Sequence, residues 1–298
     1  MIKLFVSDLD GTLLNVDHHV SKETYDAVHK LRKAGVSFMP ASGRDYDALM
    51  LVMKELDIKP KCICLNGAQS YDNDGTLQKY FTIDKDVCRY VANLVDTYKL
   101  DVDFYTSNGR YNYGDIEYFP ELLKARFQCL FHDDNREHIQ QFIKESKTIE
   151  NTKVTADFES ILEYDVLKIE MYFSNSVQRN MVFKMIRKLK GISACGSHDL
   201  NLEITSSEAT KGNMVKTVME SRGFNEDEVV VIGDGFNDSS MFQLFTNSFC
   251  MGQASDELKK LATYDVPSNK ENGVAYVINH LLANNLEINE DTIESFKK

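Results

Sequence analysis

Apolar positions fall into two spacings along the chain. Leu4–Ser7 is a short apolar run that reads as a strand. From about Ser21 to Ala34, Tyr25, Val28 and Leu31 recur at helical spacing, with Ser21 as N-cap and Gly35 as the stop. Val36–Ala41 reads as the next strand, a helix follows to about Leu56, and Cys62–Leu65 reads as a third strand. The same rhythm returns late in the chain. A helix from about Gly212 to Arg222 stops at Gly223, and Val229–Ile232 is a β-branched strand. Then come a short helix over about Asp238–Phe245, a strand at Phe249–Met251 and a helix over about Val274–Leu282. The last dozen residues are polar, a surface helix or a frayed tail. Strands alternating with helices of these lengths predict an α/β fold, a Rossmann-like doubly wound parallel sheet with right-handed crossovers.

Between about Thr82 and Thr205 the pattern is less regular and more aromatic. Val102–Tyr105, Val166–Phe173 and Leu200–Ile204 read as strands; Val87–Tyr98, His138–Glu145 and Val177–Leu189 read as helices. This predicts an α+β module inserted into the sheet domain, with a core over 1–82 and 206–298 and an insert over 83–205. Asn73-Asp74-Gly75, a tight hairpin turn, marks the exit from the core.

Composition narrows the class. With 43% hydrophobic and 27% charged residues the chain reads as an ordinary globular protein, and no apolar stretch of 18 residues points to a membrane span. The N-terminus runs directly into a strand without a signal-peptide pattern, so a cytoplasmic protein is expected, a monomer or weak homodimer. A net charge of -12 disfavours a nucleic-acid partner, and a phosphorylated ligand would need a locally positive site. The six cysteines are scattered, without a CxxC pair, and read as thiols of a reducing compartment. The histidines show no ligand spacing, and His18-His19 reads as solvated.

Candidate chemistry sits in one place. Asp8 and Asp10 follow the first strand, Ser42 the second, and Gly233-Asp234 the strand Val229–Ile232. Open α/β sheets bind ligands at the carboxyl ends of their strands, so these residues should converge on one crevice. Asp8, Asp10, Asp234 and Asp238 would crowd there, opposed by Lys211. Two like charges about 4 Å apart repel by about 4 kcal/mol at an effective dielectric of 20. Such a cluster calls for a cation, and hard oxygen donors without His or Cys favour Mg²⁺.

These motifs resemble a known family. Asp8-Leu9-Asp10-Gly11-Thr12 is similar to the DxDGT signature of the haloacid dehalogenase-like phosphohydrolases. Ala41-Ser42-Gly43-Arg44, Lys211-Gly212 and Gly233-Asp234-Gly235-Phe236-Asn237-Asp238 resemble their second, third and fourth motifs, in the same order. The insert between the second and third motifs resembles the type IIB cap of the Cof-like subfamily, as do Asn66-Gly67-Ala68 and Asn272-Gly273-Val274-Ala275. Met251-Gly252-Gln253-Ala254 departs from the subfamily, which often has Asn in place of Gln; the position is expected to lie away from the motifs and to affect only local loop contacts.

The resemblance implies a phosphatase acting on a small phosphorylated metabolite, a sugar phosphate or a phosphorylated cofactor. Asp8 would be the nucleophile that forms an aspartyl-phosphate, and Asp10 the acid and then the base. Ser42, Gly43, Lys211 and Asn237 would hold the phosphoryl group. Asp8, Asp234 and the carbonyl of Asp10 would bind Mg²⁺, with Asp238 a direct or water-mediated ligand. The insert would select the substrate. Other readings stay open for four features. Arg44 contacts substrate or forms a structural ion pair. Asn66 acts in the site or shapes its loop. Lys168 reaches substrate or lies along the sheet. The aromatic group Phe104, Tyr105, Tyr111, Tyr113, Tyr118 and Phe119 packs a core or lines a substrate wall. At the level of function, the rivals are a phosphotransferase or mutase that keeps water from the aspartyl-phosphate, and a non-catalytic sensor of a phosphorylated ligand.

Overall fold

A computed structural model describes the chain except for residues 116, 120–121, 124–125, 127–150, 197–198, 289–295 and 297–298. It divides into two compact units, Met1–Tyr80 with Ala209–Lys298, and Phe81–Glu208.

The first unit opens with β1 (Leu4–Ser7), all four residues buried, paired in parallel with β2 (Ser37–Pro40). The intervening helix Lys22–Lys33 begins where Ser21 Oγ accepts the Thr24 N–H, and buries Ala27, Val28 and Leu31. A second helix, Tyr46–Glu55, is capped in the same way by Asp45. β3 (Cys62–Cys64) extends the sheet through a parallel bridge between Ala41 and Ile63. It then turns into an antiparallel ladder with β4 (Gln69–Tyr71) and β5 (Leu77–Tyr80), whose connection contains the expected Asn73-Asp74-Gly75 turn. Cys62 and Cys64, two apart on one strand face, are buried free thiols with Sγ atoms 3.9 Å apart.

The second unit is a six-stranded sheet of β6 (Asp101–Thr106), β7 (Gly109–Tyr113), β8 (Thr152–Thr155), β9 (Val166–Tyr172), β10 (Ile192–Cys195) and β11 (Asn201–Ser206). The order is β10-β11-β9-β6-β7-β8, antiparallel except for the β7–β8 pair. Strand alternation separates its faces. Val102, Phe104, Ile169, Met171, Leu202 and Ile204 form one core with Val91 and Val95 of the helix Lys85–Tyr98 and Val182 and Ile186 of the helix Ser176–Ile186.

The other face of that sheet is polar yet buried. Arg110 and Arg126 pair with Asp103, Arg126 also with Asp101, and Lys168 with Glu203 at 3.0 Å and Glu170 at 3.3 Å. Opposite charges compensate one another there, which makes the burial tolerable. The aromatic group mostly packs: Phe104 and Tyr111 join the core and Phe119 is buried, whereas Tyr118 is exposed. The helix expected over His138–Glu145 and Cys129 lie outside the described residues.

The chain then returns to the first unit through β12 (Val229–Gly233), β13 (Ser248–Met251) and β14 (Tyr264–Val266). The resulting sheet runs β14-β13-β12-β1-β2, parallel throughout. The helix Lys22–Lys33 packs beside Gly273–Ala283, and Lys211–Ser221 beside Ser239–Leu244. The architecture is α/β, a parallel core sheet with helices and a separate antiparallel-sheet unit inserted in sequence. Among the described residues no helix is long and apolar enough to cross a membrane.

Candidate active site

Register explains why distant residues meet. β1 lies between β12 and β2, with Ser7 opposite both Ile232 and Pro40. Asp8, Ala41-Ser42 and Asp234, which follow the strands, therefore emerge at one sheet edge beside Gly233, the last residue of β12. After Asp8 the chain makes a tight turn in which Gly11 has φ +81°. A Cβ at Gly11 would come within 2.2 Å of Asp234 Oδ2, so only glycine allows this approach.

Lys211 opens the helix Lys211–Ser221 and is fully buried. Its Nζ donates to Asp8 Oδ1 at 2.6 Å and to Asp238 Oδ1 at 2.7 Å. Burial alone would favour the neutral amine, but Asp238 and Asp8 outweigh it and hold the ammonium's pKa above the ordinary lysine value. The other oxygen of Asp238 accepts the N–H groups of Asp234 and Gly235, both at 3.0 Å. Asp238 thus ties the fourth motif to the buried lysine.

Asp8 is buried, and desolvation, with Asp238 adding to it, pushes its carboxyl well above the usual range against the pull of Lys211. Burial, with Asp238 again adding to it, raises Asp234 to about 6. Oxygens of Asp8, Asp234 and Asp238 all lie within 4.8 Å of one another. Three hard carboxylates, two of them penalised as anions, form a donor set that fits a divalent cation such as Mg²⁺.

The remaining sequence candidates divide. Ser42 is buried, and its Oγ accepts the Arg44 N–H at 3.1 Å, leaving its own proton unused by that bond. Gly43 lies beside Asn66: a Cβ added there would sit 3.0 Å from Asn66 Oδ1. Asn66 has φ +57° and donates its N–H to the Ser42 carbonyl at 2.9 Å; its Oδ1 accepts Asn237 Nδ2 at 3.2 Å. One turn thereby links the second and fourth motifs. Arg44 forks onto Asp10, Nε to Oδ2 at 2.8 Å and Nη2 to Oδ1 at 2.5 Å, so the ion-pair alternative describes it here. Lys168 belongs to the second unit, paired with Glu170 and Glu203 on its polar sheet face.

One expectation is corrected. Gln253 does not lie away from the motifs: its Nε2 donates to Asp234 Oδ2 at 3.3 Å and to the Gly11 carbonyl at 2.5 Å. Thr12, for which no role was foreseen, donates Oγ1–H to Asp234 Oδ1 at 3.1 Å. A signal for Gln253 existed, because it follows the predicted strand Phe249–Met251 at the same carboxyl edge.

The chain is similar to known hydrolases and phosphatases along nearly its whole length. The family model of haloacid dehalogenase-like hydrolases matches residues 5–278. A haloacid dehalogenase-like hydrolase from B. subtilis shares 25% identity over 94% of this chain and all of its own, with a TM-score of 0.82. The 5-amino-6-(5-phospho-D-ribitylamino)uracil phosphatase YwtE of Bacillus subtilis is 27% identical, covering 95% of this chain and 99% of the relative. A subclass IIB sugar phosphatase of the same superfamily shares the fold at 19% identity, with a TM-score of 0.74 over 94% of this chain and 98% of its own.

Proposed function

Since the chain belongs to the haloacid dehalogenase-like hydrolases, we propose that it hydrolyses the phosphate ester of a small metabolite by covalent transfer to Asp8. The observation that carries this reading is the buried Asp8 carboxylate, bonded to Lys211 and grouped with Asp234 at the end of the central strand. Relatives named as phosphatases support the reaction class.

Asp8 attacks phosphorus, and the bond to the leaving oxygen breaks. Asp10 delivers a proton to that oxygen, then takes one from the water that cleaves the aspartyl-phosphate and frees Asp8. Arg44 grips both oxygens of Asp10 in the structure, a fork that favours the carboxylate, so Asp10 gives up at least one of these bonds when it carries the proton. Lys211 offsets the charge that collects on the phosphoryl oxygens, and the Ser42 hydroxyl, the loop at Gly43 and the Asn237 amide orient them. Asp8, Asp234 and the Asp10 carbonyl would hold Mg²⁺, with Asp238 as a direct or water-mediated ligand. When bound, the ion supplies positive charge beside a dianionic phosphate, in addition to that of Lys211.

The residues so engaged act on the phosphoryl group, which leaves recognition of the rest of the substrate to the inserted unit. The phosphoribityl substrate of YwtE supports a sugar phosphate or phosphorylated cofactor as the substrate class. A panel of phosphorylated metabolites, assayed for phosphate release with Mg²⁺ or with EDTA, tests this. Release that needs Mg²⁺ and favours such compounds is expected. Release unaffected by EDTA would contradict the metal assignment, and ligand binding without turnover would contradict hydrolysis.

A further inference from the structure

The Gln253 carboxamide is engaged at both ends. Its Oε1 accepts the Asn269 N–H at 3.2 Å, while Nε2 donates to the Gly11 carbonyl and to Asp234 Oδ2. Asn269 is itself anchored, its Nδ2 donating to the Leu14 carbonyl at 3.0 Å. With Thr12 Oγ1 on Oδ1, each oxygen of Asp234 accepts one neutral donor from a different loop. A carboxylate held at both oxygens cannot swing about its terminal torsion, and each oxygen keeps a further lone pair for a cation.

We infer that Gln253 is a positioning residue for the divalent cation: it holds Asp234 in the ligating orientation, joining the loops that follow β1 and β13. The inference rests on the proposed metal site and goes beyond it. A neutral amide suits the task. A lysine would cancel the negative charge that attracts the cation, and an unheld carboxylate would lose rotational freedom on binding. Residues that orient a metal ligand typically contribute about 10–100-fold to affinity.

Calorimetric titration of MgCl₂ into the metal-free full chain tests this with a readout independent of turnover. Four proteins are compared, wild type, Asp234→Asn, Gln253→Ala and Gln253→Met, the last preserving side-chain length without either polar end. Wild type should bind Mg²⁺ and Asp234→Asn should lose binding. Both Gln253 variants should bind about 10–100-fold more weakly. Melting in EDTA identifies a merely structural brace: lower melting temperatures with wild-type Mg²⁺ affinity would overturn the inference, as would unchanged affinity with unchanged melting. If wild type binds no Mg²⁺, or Asp234→Asn binds equally well, the metal site itself fails and the inference falls with it.

Discussion

Asp234 is the carboxyl on which the site's electrostatics can be read most directly. Burial and Asp238 raise its pKa from 3.8 to about 6, so the folded protein holds this proton more tightly than the unfolded chain does. Its stabilising contribution is therefore complete below the unfolded value and is lost as pH rises through about 6. A cation that takes the proton's place removes that loss. The rise in melting temperature produced by Mg²⁺ should accordingly be larger near pH 7 than near pH 5. An equal rise at both would show that the ion does not replace the Asp234 proton. That Asp8, Asp234 and Lys211 come together was legible in the sequence, because each sits where a parallel strand ends or a helix begins. The Arg44–Asp10 fork was not, nor was the grip of Gln253 on Asp234. Both depend on how loops far apart in sequence approach one another, and residue spacing carries no record of that.

The helix Lys211–Ser221 shows how packing outweighs local preference. Gly212 lies within it, its N–H donating to Ser240 Oγ at 3.0 Å, and a Cβ there would meet the Ser240 carbonyl oxygen at 2.3 Å. Helix propensity alone predicts that Gly212→Ala stabilises by about 1 kcal/mol. The close approach predicts the reverse, a loss of about 1–3 kcal/mol with displacement of the helix start that carries Lys211. Urea unfolding decides between them, and a more stable variant would contradict the packing account. The same contrast explains which elements were legible. Amphipathic helices such as Lys22–Lys33 and buried strands such as Val229–Gly233 carry long apolar patterns. β14 is three residues with only Val266 buried, and β10 is only half-buried along its length, so neither has a pattern to read.

Every residue placed around the phosphoryl group comes from Met1–Tyr80 and Ala209–Lys298, although 128 residues, Phe81–Glu208, intervene in sequence. An inserted unit was legible from the loss of βα rhythm after about Thr82. The ion pairs of its polar face were not: Asp103 and Arg110 read like ordinary surface positions, and Lys168 read as reaching substrate or lying along the sheet, not as the partner of Glu170 and Glu203. Exchanging Phe81–Glu208 for the corresponding segment of a relative should move the ranking of substrates while leaving turnover dependent on Asp8. An unchanged ranking would place selection in the first unit instead. The most direct test of the account as a whole is phosphate release at saturating substrate and Mg²⁺ by wild type and Asp8→Asn, which keeps shape and removes the nucleophilic carboxylate. The account predicts a loss of about 10⁴–10⁶-fold. A variant that hydrolyses the same substrate at near the wild-type rate would show that no aspartyl-phosphate forms at Asp8.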